Sequence, residues 1–259
     1  MDHSAATSVR DEQFGHTPQS SRRRAGERRL FLVAAVLFPL IVLVGFARTY
    51  YLKGVFGTPP LASGLVRAHG IVMTAWVALF VTQVALVRSG RIALHRQLGM
   101  AGAGLGALVV IVGFFTAVAA AKYGAASTRP NFPPRAHLVV PFFDLVMMVI
   151  LFGAAIVLRR RPADHKRLML LTAVNFLPPA LARFPIASLL ALGPVYFFGV
   201  PTVLALGALG YDRWLTGSFN RAMVLGAVLL IASYPCRLML SGTGAWMGFA
   251  TWLTTALPV

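Results

Sequence analysis

Seven stretches of this chain, residues 30–47, 66–87, 98–121, 136–158, 168–182, 189–210 and 222–240, are almost wholly apolar, and arginine-rich or polar segments separate them. About 20 apolar residues are what a helix needs to cross the hydrocarbon core of a bilayer. The pattern therefore predicts an all-α polytopic membrane protein with seven transmembrane helices, numbered here as spans one to seven. Composition agrees: 58% of residues are from the AVILMFWYC set, 12% are charged, and the mean hydropathy is +0.74. Soluble domains run about 25% charged, so a disordered chain, a disulfide-stapled secreted domain and an ordinary soluble enzyme are excluded. The lone cysteine, Cys236, lies in an apolar run, which excludes an intrachain disulfide and a thiolate cluster.

Lys and Arg number 24 against 7 Asp and Glu, a net charge of +17. In a soluble protein that balance would suggest nucleic acid, but here the basic residues fall between apolar runs and mark topology, so no nucleic-acid partner is expected. Residues 1–29 are polar, carry six arginines and show no periodicity, which predicts a disordered basic tail ahead of a transmembrane domain over residues 30–259. Sixteen basic residues lie in this tail and in the second, fourth and sixth loops, and eight on the opposite side. The excess places the amino terminus in the cytoplasm and the carboxyl terminus outside, in a bacterial cytoplasmic (inner) membrane. Tyr50, Tyr51, Tyr123, Trp246 and Trp252 then fall at the outer interface, and Tyr211 and Trp214 at the inner one.

An internal repeat carries four of the six histidines. Arg67-Ala68-His69 precedes span two and Arg135-Ala136-His137 opens span four, each after a Pro-Pro pair; each span ends in a basic loop and a second histidine, His95-Arg96 and His165-Lys166. Spans two with three, and four with five, read as two parallel hairpin copies over about residues 65–122 and 133–185, a four-helix core of the kind membrane folds build by repetition. On this topology His69 and His137 meet near the outer face, His95 and His165 near the inner. Neutral imidazole is a good iron ligand, and two histidines on facing helices can hold a haem within a bundle, with arginines beside them for the propionates. Arg67, Arg135, Arg183 and Arg237 suit the outer position; Arg96, Arg160, Arg161 and Arg167 suit the inner one.

The run from His69 through His95-Arg96-x-Leu-Gly99 to His137 and His165-Lys166-Arg167-Leu-Met169 resembles an uncharacterised family of bacterial multi-helix membrane proteins, a domain of unknown function, over about residues 45–245. More distantly, one histidine on each of four consecutive helices, alternating in depth, is similar to the di-haem b-type cytochromes that carry electrons from ascorbate across membranes. That resemblance implies haem b held by His69 with His137 and by His95 with His165, and electron exchange with a quinone or a redox protein. His95 and His165 stand beside basic runs at helix ends, however, where a buried haem is better served by ligands a turn deeper. The competing reading makes the histidines interfacial anchors on lipid phosphate or helix caps, with no cofactor.

Asp144 is read as the one carboxylate inside a span and needs a partner, for which Arg183 and Arg237 are the cations at hand. His69, Met73, Trp76, Phe80 and Gln83 share one helical face, and Asn175 stands ahead of Pro178 and Pro179, whose missing N–H groups predict a kink. Gly102 and Gly106 in GxxxG spacing predict a centrally packed span three. No His-Glu-x-x-His, Gly-x-Ser-x-Gly or Cys-x-x-Cys occurs, so no catalytic residue is assigned. Three functions stay open: a haem-binding electron-transfer protein, a non-enzymatic solute carrier or assembly factor with Asp144 in a gating contact, and an enzyme with a non-haem metal at the outer histidines.

Overall fold

The computed structural model describes residues 18–124 and 133–259, with side chains from residue 22 onward. Arg10 and Arg129 lie outside the described residues, as does most of the expected tail. The described residues fold into helices alone. In chain order these are α1 (Pro18–Phe46), continued by a π-helical turn, Ala47–Tyr51; α2 (Gly64–Arg88); α3 (Ile92–Tyr123); the single-turn α4 (Pro134–His137); α5 (Val139–Val157); α6 (Pro162–Asn175); α7 (Leu177–Leu181); α8 (Ala187–Ala191); α9 (Pro194–Thr216); α10 (Arg221–Leu240); and α11 (Gly244–Ala256).

Six helices among the described residues are long and apolar enough to cross a membrane: Arg22–Tyr51, Gly64–Arg88, Ile92–Tyr123, Pro134–Arg160, Pro194–Thr216 and Arg221–Leu240. Each buries one stripe and presents apolar side chains outward on the other. In α1, Ala35, Phe38 and Val42 are buried while Val33, Val36, Leu40 and Leu43 are exposed, an arrangement costly in water and natural against lipid.

The segment expected as span five, residues 168–182, departs from this rule. It is a 14-residue helix and a 5-residue helix broken at Phe176. Pro178 and Pro179 cannot donate to the preceding turn, so the helix must restart with them at its new beginning. The segment is also the centre of the bundle, since every residue from Leu170 to Pro178 is buried. Arg167, Thr172 and Asn175 are among its buried residues. Polar side chains are expensive in hydrocarbon and inexpensive in a protein interior that partners them, so the least apolar run takes the middle. The glycine-rich α3 packs through one close-fitting face. Its buried stripe of Gly102, Gly106, Val109, Gly113 and Ala117 packs on α2 and α5, with Phe152 lying where a side chain at Gly106 would stand.

Two further differences concern boundaries. Residues 18–29, expected as tail, form the start of α1, where Glu27 lies 3.7 Å from Arg23 one turn back and 2.6 Å from Lys166 of α6. The span-six helix runs on past residue 210 to Thr216, which brings a second carboxylate, Asp212, into a helix interior.

Candidate functional site

Because α2 and α5 descend from one end and α3 and α6 return from the other, the bundle has a cavity end, bearing His69 and His137, and an arginine end, bearing His95 and His165. At the cavity end the helices part around a cavity of about 700 Å³. His69 and Met73 of α2, His137 of α4, Asp144 of α5, Pro178 and Pro179 of α7, and Arg183 all line it, with Phe38, Val42, Phe197 and Phe198 among its apolar walls. The volume falls within the ~300–1,000 Å³ usual for small-molecule sites.

Each polar group at this cavity is placed by its local structure. Ser63 caps α2, its Oγ accepting from Val66 N–H at 3.3 Å, which sets His69 in the second turn. His137 ends the single turn α4, whose carbonyls are held from α11 and from the end of α10: Trp246 Nε1 donates to Arg135 O at 3.0 Å, and Ser241 Oγ donates to Ala136 O at 3.2 Å. Arg183 follows the proline break, donating to Pro179 O at 2.6 Å and lying over the Phe46 ring at 4.9 Å. Among the described residues no carboxylate stands within ion-pair distance of Arg183.

Asp144 pairs with Arg237, not with Arg183. The Arg237 guanidinium donates to the Asp144 carboxylate and, at 3.2 Å, to Ser233 Oγ, and stacks over Phe198 and Tyr234. Arg237 is 0% exposed and is not among the cavity-lining residues. Asn175 Nδ2 donates to the Asp144 backbone carbonyl at 2.9 Å. Yet Arg237 Nε, Tyr234 OH, Asn175 Oδ1 and His69 Nδ1 are buried without a hydrogen-bond partner among the described residues. Groups in that condition call for an internal water or a ligand.

The arginine end is arranged differently. The His95 and His165 rings meet edge to face, 6.5 Å between centroids. His165 Nδ1 donates to Ala155 O at 2.8 Å. The Gln83 amide, oriented as its neighbours require, donates to His95 Nδ1 at 2.5 Å and accepts from Gly99 N–H at 3.1 Å. With Nδ1 accepting from Gln83, His95 carries its proton on Nε2. Arg167, a candidate for a propionate there, instead forms a buried two-pronged pair with Asp212 at 2.9 and 2.5 Å and donates its remaining amine to Ala163 O at 2.6 Å.

The helical face from His69 to Gln83 thus divides. His69 and Met73 line the cavity, Trp76 packs on Phe152, Phe80 on Phe38, and Gln83 reaches His95. Asp212 is the polar residue the hydropathy pattern missed; its signal was helical spacing continuing through Tyr211 to Thr216. Among the described residues no group of three or more His, Cys, Asp or Glu side chains converges as a metal site would. Comparison with protein families, curated proteins and solved structures finds no match, so the chemistry rests on the residues themselves.

Proposed function

We propose that this protein binds b-type haem in the cavity between His69 and His137 and serves as an electron carrier of the bacterial cytoplasmic membrane. The observation that carries the reading is that two imidazoles from separate helices share one cavity with an arginine that no described carboxylate neutralises. His69 would serve as a ligand, and its Nδ1 has no hydrogen-bond partner among the described residues. Arg183, which lines the same cavity, would meet a propionate, and the apolar walls would pack on the macrocycle. When bound, haem would supply one-electron chemistry; the chain ligates, orients and shields it. His95 is less suited, because Gln83 fixes it in the tautomer that puts a proton, not a lone pair, on Nε2.

The same reading takes α6 with α7 as a seventh, broken crossing, so that α2–α3 and α5–α6 form two parallel hairpins. The amino terminus then lies in the cytoplasm with the arginine end, and the electron partner is a quinone or a redox protein. Irregular backbone at membrane depth is tolerated where protein or a cavity surrounds it, and Pro178 and Pro179 line the cavity.

Protein purified from haem-replete cells is expected to show a Soret band that His69→Ala or His137→Ala abolishes; a colourless preparation contradicts the proposal. Two haems per chain extend it to His95 and His165, and one leaves them the packed pair described above. The proline break and the unpartnered atoms behind Asp144 favour a second reading, a solute carrier that uses the Asp144–Arg237 pair as a gate. A solute-dependent rise in Tm that Asp144→Asn removes supports it, and no rise across a broad panel contradicts it.

A further inference from the structure

Haem in the cavity leaves the charge of the opposite end unused. Arg88 closes α2, Arg91 and Arg96 flank the start of α3, and Arg159, Arg160 and Arg161 join α5 to α6; all six are exposed. Among the described residues none has a carboxylate within ion-pair distance. The described acids of this end are engaged elsewhere: Glu27 with Arg23, Lys166 and Arg167, Asp212 with Arg167, and Asp164 with the Asn220 amide at 2.6 Å.

The fold draws the two basic loops together. His95 N–H donates to Arg91 O and His165 N–H to Arg161 O, each at 3.0 Å, so each arginine stands one helical turn before a histidine. Since those two rings meet at 6.5 Å, Arg91 and Arg161 occupy matching positions on adjoining helix starts. Exposed apolar side chains lie in the same segments: Val87 before the first loop, Ile92 and Leu94 after it, and Val157 before the second. A soluble anion would cover the charge and leave this apolar border bare. An amphiphile with an anionic head covers both.

We propose that the basic surface formed by the 88–91 and 159–161 loops binds an anionic phospholipid, its phosphate held by Arg91 and Arg161 and its acyl chains lying along Val87, Ile92 and Val157. Basic clusters at helix ends recognise anionic headgroups in this way, each arginine contributing about a fivefold gain in affinity. The site is independent of any cofactor at the cavity end.

The test is native mass spectrometry of the full chain with equimolar phosphatidylglycerol and phosphatidylcholine of the same acyl chains. Phosphatidylglycerol is expected to be retained preferentially. The double variant Arg91→Gln/Arg161→Gln is expected to bind it about 30-fold more weakly, and Arg91→Gln alone about fivefold, while Arg48→Gln at the other end binds as the parent does. Both arginine side chains are exposed, so an unchanged thermal transition verifies that the variants fold. Equal retention of the two lipids, an equal loss in Arg48→Gln, or displacement of the lipid by inorganic phosphate at matching concentration overturns the proposal.

Discussion

Two buried arginine–carboxylate pairs tie this bundle together, and their surroundings differ. At the arginine end, Arg167 spends its donors on Asp212 and Ala163, and Glu27 stands 3.7 Å away as a further acid. At the cavity end, Arg237 spends two donors on Asp144 and Ser233 and leaves Nε unpaired, amid an unpaired tyrosine hydroxyl, asparagine oxygen and imidazole nitrogen. The buried pair at the arginine end is satisfied within the protein, whereas the one at the cavity end stands among unpartnered buried donors and acceptors. A buried polar group left unmade costs stability, and such costs gather where a site must receive something else. The contrast supports the cavity end as the place of the proposed haem site.

The largest effect expected from breaking the contrast is at Asp144. Asp144→Asn leaves a fully buried guanidinium with no other described acid nearby, and thermal unfolding should show a loss of about 3–5 kcal/mol. Joint replacement, Asp144→Leu with Arg237→Met, should recover most of that loss, because a buried pair exchanged for apolar side chains is close to neutral. At the other end Asp212→Asn should cost less, about 2 kcal/mol, since Glu27 can move onto Arg167. Equal losses at the two ends would erase the distinction.

Smaller substitutions sharpen the contrast through their sign. Tyr234→Phe removes an unpaired buried hydroxyl and should raise ligand-free stability by about 1 kcal/mol. Asn220→Ala removes both the cap on Met223 N–H and the bond to Asp164, and should lower it by about 1 kcal/mol. Trp246→Phe deletes one hydrogen bond to the turn bearing His137 and should lower it least, by about 0.5–1 kcal/mol. Denaturant or thermal melts of the purified protein decide the three signs.

Apolar length alone made the six membrane-length helices readable, because hydrocarbon leaves the backbone no other partner. The pairing of Asp144 was also within reach: a lone acid in an apolar run needs a cation, and Arg237 was one of two at the right depth. Sequence did not reveal which of them wins, since Arg183 is drawn off by the proline break to Pro179 and the Phe46 ring. Asp212 was hidden because Asp212 and Arg213 look like the edge of a loop, and its partner Arg167 stands 45 residues earlier. The same holds for Glu27, whose bond to Lys166 spans 139 residues and extends α1 into the expected tail. Hydropathy measures the fit of a segment to lipid. It carries no information on the polar interior that α6 supplies at the centre of the bundle.

The most direct test is the haem content per chain of the purified parent, His69→Ala and His95→Ala. The account predicts haem in the parent, its loss in His69→Ala, and at least one haem retained in His95→Ala. A parent without haem, or haem lost through His95→Ala and kept in His69→Ala, would contradict it.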